Sequence, residues 1–464
     1  MDGPTSLSQS PVWDLQRAYY EREASDAFAE IPHQIVDNPF VAVAFARVVG
    51  GFLRDCARGA LDLAEPLYVV ELGAGAGRFA HGFMRELAAW AEAVPLALPE
   101  IVYVMTDLGE STLEDWAAKA ELEDERFDFA RFDVAADRTL ELRRRGVELE
   151  RLANPLVVIA NYLFDSVPAD AFAVGRETLE ECLVEVSGSE VATMELTYSR
   201  GPVAAGHYGD EDLDALLEHY RGSLSDTVVT VPTAAIACLG RLRALAGDRA
   251  LVLSADKALS TEESLGYREE PELARHGGVF SLMVNFHALG WYARRHGGEA
   301  LDGGDRHAMV DVGAFVFGPP PGGYAETRLA YAEAIARFSP EDLSTLAEGI
   351  EQVSPQLSVP EIIAALRLSG WDAFTLHGVA DALRAQAGDA DPAAQEDLRQ
   401  ALYEIDDRHF SVPGEADLPF TIGTLLYALG DYEDALEFFE ASLEQHGPHH
   451  ATEQNIALCE AELD

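Results

Sequence analysis

The sequence predicts an α/β fold: a Rossmann-like sheet carrying an inserted β-hairpin, preceded by helices and followed by an all-α domain. Three observations predict it. Between Leu67 and about Phe317, short apolar runs (LYVVEL, IVYVMT, PLVVIAN, ALVLSA) alternate with longer helical patterns, the rhythm of a parallel sheet covered by helices. A glycine-rich turn follows the first of these runs. Beyond Tyr324 the strand-like runs stop and helical spacing continues to the end of the sequence.

From Pro11 to Cys56, apolar residues recur at helical spacing, as in Phe45, Val48, Val49 and Phe52, with Pro32 and Pro39 breaking the run. This predicts a helical brace or lid over residues 1–65. Val69 to Leu72 reads as the first strand, Gly73 to Gly77 as a tight turn, and Phe79 to Leu87 as an amphipathic helix. After the fourth strand, Cys182 to Tyr198 alternates apolar and polar residues around Ser187, Gly188 and Ser189, which predicts the hairpin. Val310 to Phe317 supplies a late strand, and the Gly318 to Gly323 proline and glycine cluster ends an α/β domain of residues 66–323.

In the helical region of residues 324–464, Phe420 to Gln445 resembles a tetratricopeptide repeat. Gly423 falls where the first helix needs a small residue, Gly430 at the turn, and Ala435 with Phe439 where the second helix packs back. Ala451 to Leu463 reads as a following or capping helix, and Pro360 to Tyr403 has room for a degenerate upstream unit.

A net charge of -48 at pH 7 repels a phosphate backbone, which excludes nucleic acid as a substrate class. Of 33 basic residues only Lys119 and Lys257 are lysines. Proteome-wide bias explains such a surface without any role in recognition; attraction of a basic partner is the alternative. Cys56, Cys182, Cys238 and Cys459 form no CxxC pair, so neither a zinc site nor a disulfide framework is expected. With no basic n-region and no apolar run of membrane-spanning length, the chain reads as unexported, cytoplasmic and free of the membrane. The oligomeric state is not encoded in any recognisable pattern.

The chemistry starts at the turn. Gly73, Ala74, Gly75 and Gly77 allow close backbone approach to a ligand at a helix N-terminus. Glu71, at the end of the strand, would repel a pyrophosphate but suits a cationic sulfonium with an amino-acid tail, which points to S-adenosyl-L-methionine as cofactor. Asp107 ends the second strand and can accept both ribose hydroxyls. Asp133 can accept from the exocyclic amine of adenine, with Phe132 packing on the ring. In so acidic a chain, solvated loop carboxylates are the plain alternative for both acids. A dinucleotide-binding oxidoreductase is disfavoured by Glu71 and by the missing third-glycine spacing of GxGxxG.

The turn, the acids and the strand order together resemble the class I methyltransferase family. Asn161 to Phe172 (NYLFDSVPADAF) is similar to the NExxDAxPVxxF signature of the MidA group, which includes the mitochondrial complex I assembly arginine methyltransferase. Phe280 to Gly298 (FSLMVNFHALGWYARRHGG) is similar to that group's HVDFTALA-type segment. The resemblance covers roughly residues 27–317 and implies methyl transfer to a protein side chain. One position departs. The family has a glutamate where this chain has Tyr162, and that acid is the natural grip for a guanidinium, so arginine as acceptor is put in question.

Asn161 and Asp165, just past the fourth strand, are the candidates to orient an acceptor. Tyr162 can stack on a planar cation or fill the wall, and Asp165 can instead cap a helix. His287 is a candidate proton acceptor if its segment folds back over the sheet edge; a packed helix histidine is the plain reading. No HExxH, P-loop lysine, GxSxG elbow or metal-ligand cluster is legible, so no metal is expected. The adjacent His449 and His450 read as surface residues. The expected function is a methyltransferase acting on a protein or peptide recruited by the C-terminal repeats. A small-molecule methyltransferase, or a non-catalytic assembly protein that retains the cofactor fold, are the alternatives.

Overall fold

The computed structural model describes residues 3–22, 35–188, 190–303, 310–319 and 322–464. Pro32, the Ser189 of the expected hairpin turn, and the Pro320 and Pro321 of the expected boundary lie outside the described residues. Two compact units are present, one of Met1–Asp37 with Val41–Ser339 and one of Asn38–Phe40 with Pro340–Asp464.

The first unit is organised by a seven-stranded sheet whose strands we number β1 to β7: Leu67–Leu72, Ile101–Asp107, Phe127–Arg131, Leu156–Asn161, Ala250–Asp256, Glu299–Leu301 and Asp311–Phe317. Their spatial order is β3-β2-β1-β4-β5-β7-β6. β1 to β5 run parallel, in registers such as Val69 opposite Tyr103 and Ala255 opposite Asn161, while β7 pairs antiparallel with both β5 and β6. The apolar runs are continuous because helices cover both faces: every residue of β1 and of β5 is buried. Strand order reverses between β1 and β4, so the carboxyl ends of these two strands open the crevice where ligands bind in such sheets.

Helices α1 (Val12–Arg22), α2 (Pro39–Cys56), α3 (Arg78–Ala93), α4 (Glu110–Ala118), α5 (Glu211–Ser223), α6 (Thr233–Leu245), α7 (Phe286–Arg295) and α8 (Ala325–Ala334) complete the unit. Leu239 of α6 and Leu289 and Tyr292 of α7 share one core with Val70, Val158 and Val252 of the sheet. On α2 and α3, Phe45 meets Phe79 at 5.5 Å, and Phe83 meets Tyr103 of β2 at 5.6 Å.

The segment after β4 is larger than a hairpin. Leu179–Ser187 and Glu195–Pro202 do pair antiparallel, but within a four-stranded sheet that Asp170–Val174 and Thr227–Val231 complete. Asp170–Val174 pairs with Leu179–Ser187 across a tight turn, whereas Thr227–Val231 is an edge strand that only tertiary pairing with Asp170–Val174 makes into sheet. One face of this sheet carries Cys182 and Val184 into a core shared with Leu7, Val12, Trp13 and Phe280, which seats α1 there. The N-terminal helices are thus part of the first unit, not a separate body.

The units divide at Ser339–Pro340 rather than at Gly323. The reason is α8. Asp55 of α2, wholly buried, accepts from the Thr327 amide at 2.9 Å and the Thr327 hydroxyl at 2.8 Å, which fixes α8 to the first unit.

The second unit is all helix: α9 (Pro340–Val353), α10 (Val359–Leu368), α11 (Ala373–Gln386), α12 (Pro392–Arg408), α13 (Leu418–Leu429), α14 (Tyr432–His446) and α15 (His450–Leu463). α13 and α14 form an antiparallel hairpin. A Cβ on Gly423 would come within 2.9 Å of the Phe439 ring, and Gly430 ends α13 with φ of 82°. Ala435 and Phe439 are fully buried, and Arg399 of α12 pairs with Asp431 at 2.7 Å. Among the described residues, no helix is long and apolar enough to cross a membrane.

Candidate active site

At the carboxyl ends of β1, β2 and β4 the first unit holds a cavity of about 440 Å³. Ten of the twelve residues singled out in the sequence line it, and Gly77 and His287 do not. Glu71, Gly73, Ala74, Gly75, Asp107, Phe132, Asp133, Asn161, Tyr162 and Asp165 line it. Gly77 sits behind the turn as the N-cap of α3, with φ of 93°.

The turn needs its glycines. Gly73 and Gly75 have φ of 68° and 57°, the left-handed region that side chains disfavour, and a Cβ on Gly73 would press on Leu163 at 3.1 Å. The Ala74 amide donates to Thr106 of β2, and Trp116 of α4 donates its indole N–H to the Gly75 carbonyl, so the loop is held from both sides. Glu71 is buried and accepts from the Tyr103 hydroxyl at 2.9 Å. Burial pushes its carboxyl well above the usual range and nearby Asp37 pushes it further, against the Tyr103 hydrogen bond. A cation placed beside it would reverse that shift.

Asp107 is held up to about 6 by burial, against backbone N–H bonds from Gly109, Leu108 and Gly75. Its Oδ1 accepts from the Gly109 amide at 3.0 Å, which orients the carboxylate without exhausting its lone pairs. Phe132 and Asp133 are buried in the cavity wall. Asp133 caps the Ala135 amide with Oδ1 at 2.8 Å, while Oδ2 lies 2.5 Å from an Arg17 Nη2 in an ion pair that lacks hydrogen-bond alignment. Arg17 therefore competes with any adenine amine for this acid.

The other end of the cavity is assembled from distant segments. Asn161 closes β4; its Oδ1 accepts from the Ala255 amide at 3.3 Å, and its buried Nδ2 has no partner among the described residues. A buried donor left open in a cavity wall fits a ligand acceptor. Tyr162 follows with φ of 48°, an uncommon conformation for an aromatic residue, fixed by its amide donating to the Ala255 carbonyl. Asp165 does not cap a helix through its side chain: it lies inside the short turn Phe164–Ser166, buried, with Oδ1 accepting from Ser166 Oγ at 2.7 Å. Its amide donates to Asp256 Oδ2 at 3.2 Å.

Asp165 and Asp256 form a buried carboxyl pair. Burial raises both, and the charge of Asp165 drives Asp256 well up, so the two carboxyls share a proton. Asp256 ends β5, beside β4, and Lys257 follows it into the cavity lining. Sequence reasoning passed over both, although a charged pair at the carboxyl end of the ALVLSA strand was a legible signal.

His287 is the correction. The Phe280 segment does fold back over the sheet edge, but it delivers His276, Val279, Phe280 and Ser281 to the cavity. His287 lies farther on, in α7, where its Nδ1 is 3.1 Å from the Tyr220 hydroxyl and burial holds it down to about 4. It does not line the cavity. α1 was also unforeseen in detail: Trp13, Gln16, Arg17 and Tyr20 line the site. Gln16 donates to the Ser166 carbonyl at 3.0 Å and accepts from the Phe280 amide at 2.9 Å, bridging these two segments of the cavity wall.

Residues 55–269 match the model of a family described as "Putative S-adenosyl-L-methionine-dependent methyltransferase". The chain is an S-adenosylmethionine-dependent methyltransferase. Among solved structures it is similar to a Burkholderia thailandensis protein bound to S-adenosylhomocysteine, at 19% identity over 65% of this chain and 74% of that one, with a TM-score of 0.43. A second, uncharacterized protein of the same organism is 17% identical over 70% of this chain and 96% of that one, with a TM-score of 0.40. No curated protein matches. The buried Glu71 carboxyl and the left-handed glycines fit the cofactor: Glu71, Gly73, Gly75 and Asp107 are the residues of the methyltransferase that would hold it.

Proposed function

We propose that the methyl acceptor is a nitrogen on a cationic side chain of a protein or peptide, presented at the carboxyl edge of β4 and β5. The observation that carries this reading is the combination, at that end of the cavity, of the Asp165 carboxylate with the rings of Trp13, Tyr20, Tyr162 and Phe280. Aromatic faces and a carboxylate together recognise a desolvated amine or guanidinium. The charge of -48 draws a basic chain toward the surface, at a rate that salt would reduce.

S-adenosylmethionine supplies, when bound, a methyl group on a positively charged sulfur. The protein's part is alignment and proton removal. Asp165 accepts a hydrogen bond from the acceptor N–H and takes the proton that the cationic nitrogen must lose, which would free its lone pair for a methyl group whose bond to sulfur breaks with the electrons left on sulfur. The Ser166 hydroxyl donates to the Asp165 carboxylate, and Asp256 accepts from the Asp165 amide, which together hold the residue in place. Tyr162, in the place of the glutamate of the MidA signature, favours stacking on the acceptor over pairing with it. Arginine is the acceptor implied by that resemblance, and lysine or a terminal amine meets the same demands. The α13–α14 hairpin, with its tetratricopeptide-like placement of Gly423, Gly430, Ala435 and Phe439, is the segment we propose to recruit the substrate chain.

Incubating the full chain with methyl-labelled cofactor and a peptide array tests the acceptor. Label on arginine- or lysine-bearing peptides, absent from matched peptides without them, is the expected result. Label found only on small molecules of an extract, with every peptide blank, would overturn it.

A further inference from the structure

Away from the cavity, α5, the connection from β5 to α7, and α7 itself bring three metal-ligating side chains together. They are His219, Glu262 and His287, whose donor atoms all lie within 4.8 Å of one another. His219 Nε2 is 2.8 Å from Glu262 Oε1, yet it makes no aligned hydrogen bond and is a buried nitrogen without a partner. His287 Nε2 stands 3.9 Å from the same carboxylate oxygen. Ligands about 2.0–2.2 Å from a tetrahedral zinc ion are separated from each other by roughly 3.3 Å, and these two distances bracket that value.

The surroundings are those of a supported ligand. His287 Nδ1 lies 3.1 Å from the Tyr220 hydroxyl, which itself receives Asn285 Nδ2 at 3.0 Å. That occupies one ring nitrogen and leaves the other facing Glu262, the arrangement in which an outer hydrogen bond fixes a ligating imidazole. The two imidazole rings are nearly parallel, 18° apart, with centroids at 6.0 Å, so their nitrogen edges meet the carboxylate side by side. Trp291 flanks His219 at 5.8 Å.

We propose that His219, Glu262 and His287 bind a divalent transition metal of zinc type, with two imidazoles and one carboxylate as ligands and water in the fourth position. Imidazole with carboxylate suits zinc better than magnesium or calcium, which take oxygen sets. None of the three lines the cofactor cavity. Glu262, however, belongs to the same connection as Lys257, His276, Phe280 and Ser281, which wall its acceptor end. A metal there ties that connection to α5 and α7 and steadies the wall, a structural staple and not a reaction centre.

The experiment uses tag-free full-length protein, zinc chloride and, separately, cobalt chloride. After unbound metal is removed, one zinc per chain is expected by elemental analysis, and the cobalt form should show visible absorption of a low-coordinate nitrogen and oxygen site. His219→Ala and Glu262→Gln, both at partly exposed positions, should each weaken zinc binding at least ~100-fold with circular dichroism unchanged. Tyr220→Phe should weaken it roughly 10-fold through the lost orientation of His287. Folded wild-type protein that retains no zinc would overturn the site. So would a His219→Ala variant that binds as tightly as wild type while removal of His449 and His450 abolishes binding.

Discussion

The nucleoside end of the cavity is built by the run of β1, turn, α3 and β2 that holds Glu71 to Asp107, with Phe132 and Asp133 just after β3. The acceptor end is gathered from α1, from Asn161 to Pro168, from Lys257 and from His276 to Ser281. The first is fixed by local backbone geometry: glycines at positive φ, an amide cap on Asp107, a hydroxyl on Glu71. The second depends on long-range hydrogen bonds such as those of Gln16 and on the Asp165–Asp256 pair. The difference teaches that cofactor binding is a property of a short motif, whereas acceptor choice is a property of the whole first unit.

That comparison breaks or sharpens at four points. The largest effect is expected at Gly75, where φ of 57° excludes a β-branched residue. Gly75→Val should weaken S-adenosylmethionine binding by more than ~100-fold in calorimetry. Asp165→Asn comes next: turnover of a peptide acceptor should fall by ~100-fold or more, while cofactor affinity stays within a factor of about 2. Equal losses in both would erase the separation of the two ends.

A pH titration is the third. Asp107 is held at about 6 in the free protein, and ribose hydroxyls prefer its ionised form, so binding releases a proton. Cofactor affinity should therefore rise with pH through about 6 and level off above it. At pH 5 roughly one-tenth of the group is ionised, which sets the loss at up to ~10-fold relative to pH 7. Asp107→Asn should flatten this dependence. The smallest effect is expected from Gln16→Ala, which strands the buried Phe280 amide at a cost of about 1–3 kcal/mol. A fall in Tm of a few degrees and a rise in KM for the acceptor are expected, with cofactor affinity unchanged.

The parallel strands and the glycine turn were legible because each is a local pattern: a continuous apolar run, or a residue type that positive φ demands. The four-stranded inserted sheet was only half legible. Its edge strand Thr227–Val231 is a short run whose strand character comes from pairing with Asp170–Val174 across more than fifty residues of chain. Asp165 was found through a motif, but its partner Asp256 was not, since a buried carboxyl pair depends on which strands become neighbours. His287 illustrates the opposite error: the segment was placed near the cavity, but it is the short strand Val279–Ser281 that faces it, while His287 lies on the following helix and packs on Tyr220. The domain boundary moved for a similar reason, the buried Asp55–Thr327 bonds outweighing a proline and glycine cluster.

The most direct test is calorimetric titration of the full chain with S-adenosylmethionine, repeated with Asp107→Ala. One binding site per chain is predicted, weakened about 10- to 100-fold in the variant through loss of charged hydrogen bonds worth roughly 1.5–3 kcal/mol. Absence of binding by the folded wild-type protein, or an Asp107→Ala variant that binds equally well, would contradict the assignment of this cavity to the cofactor.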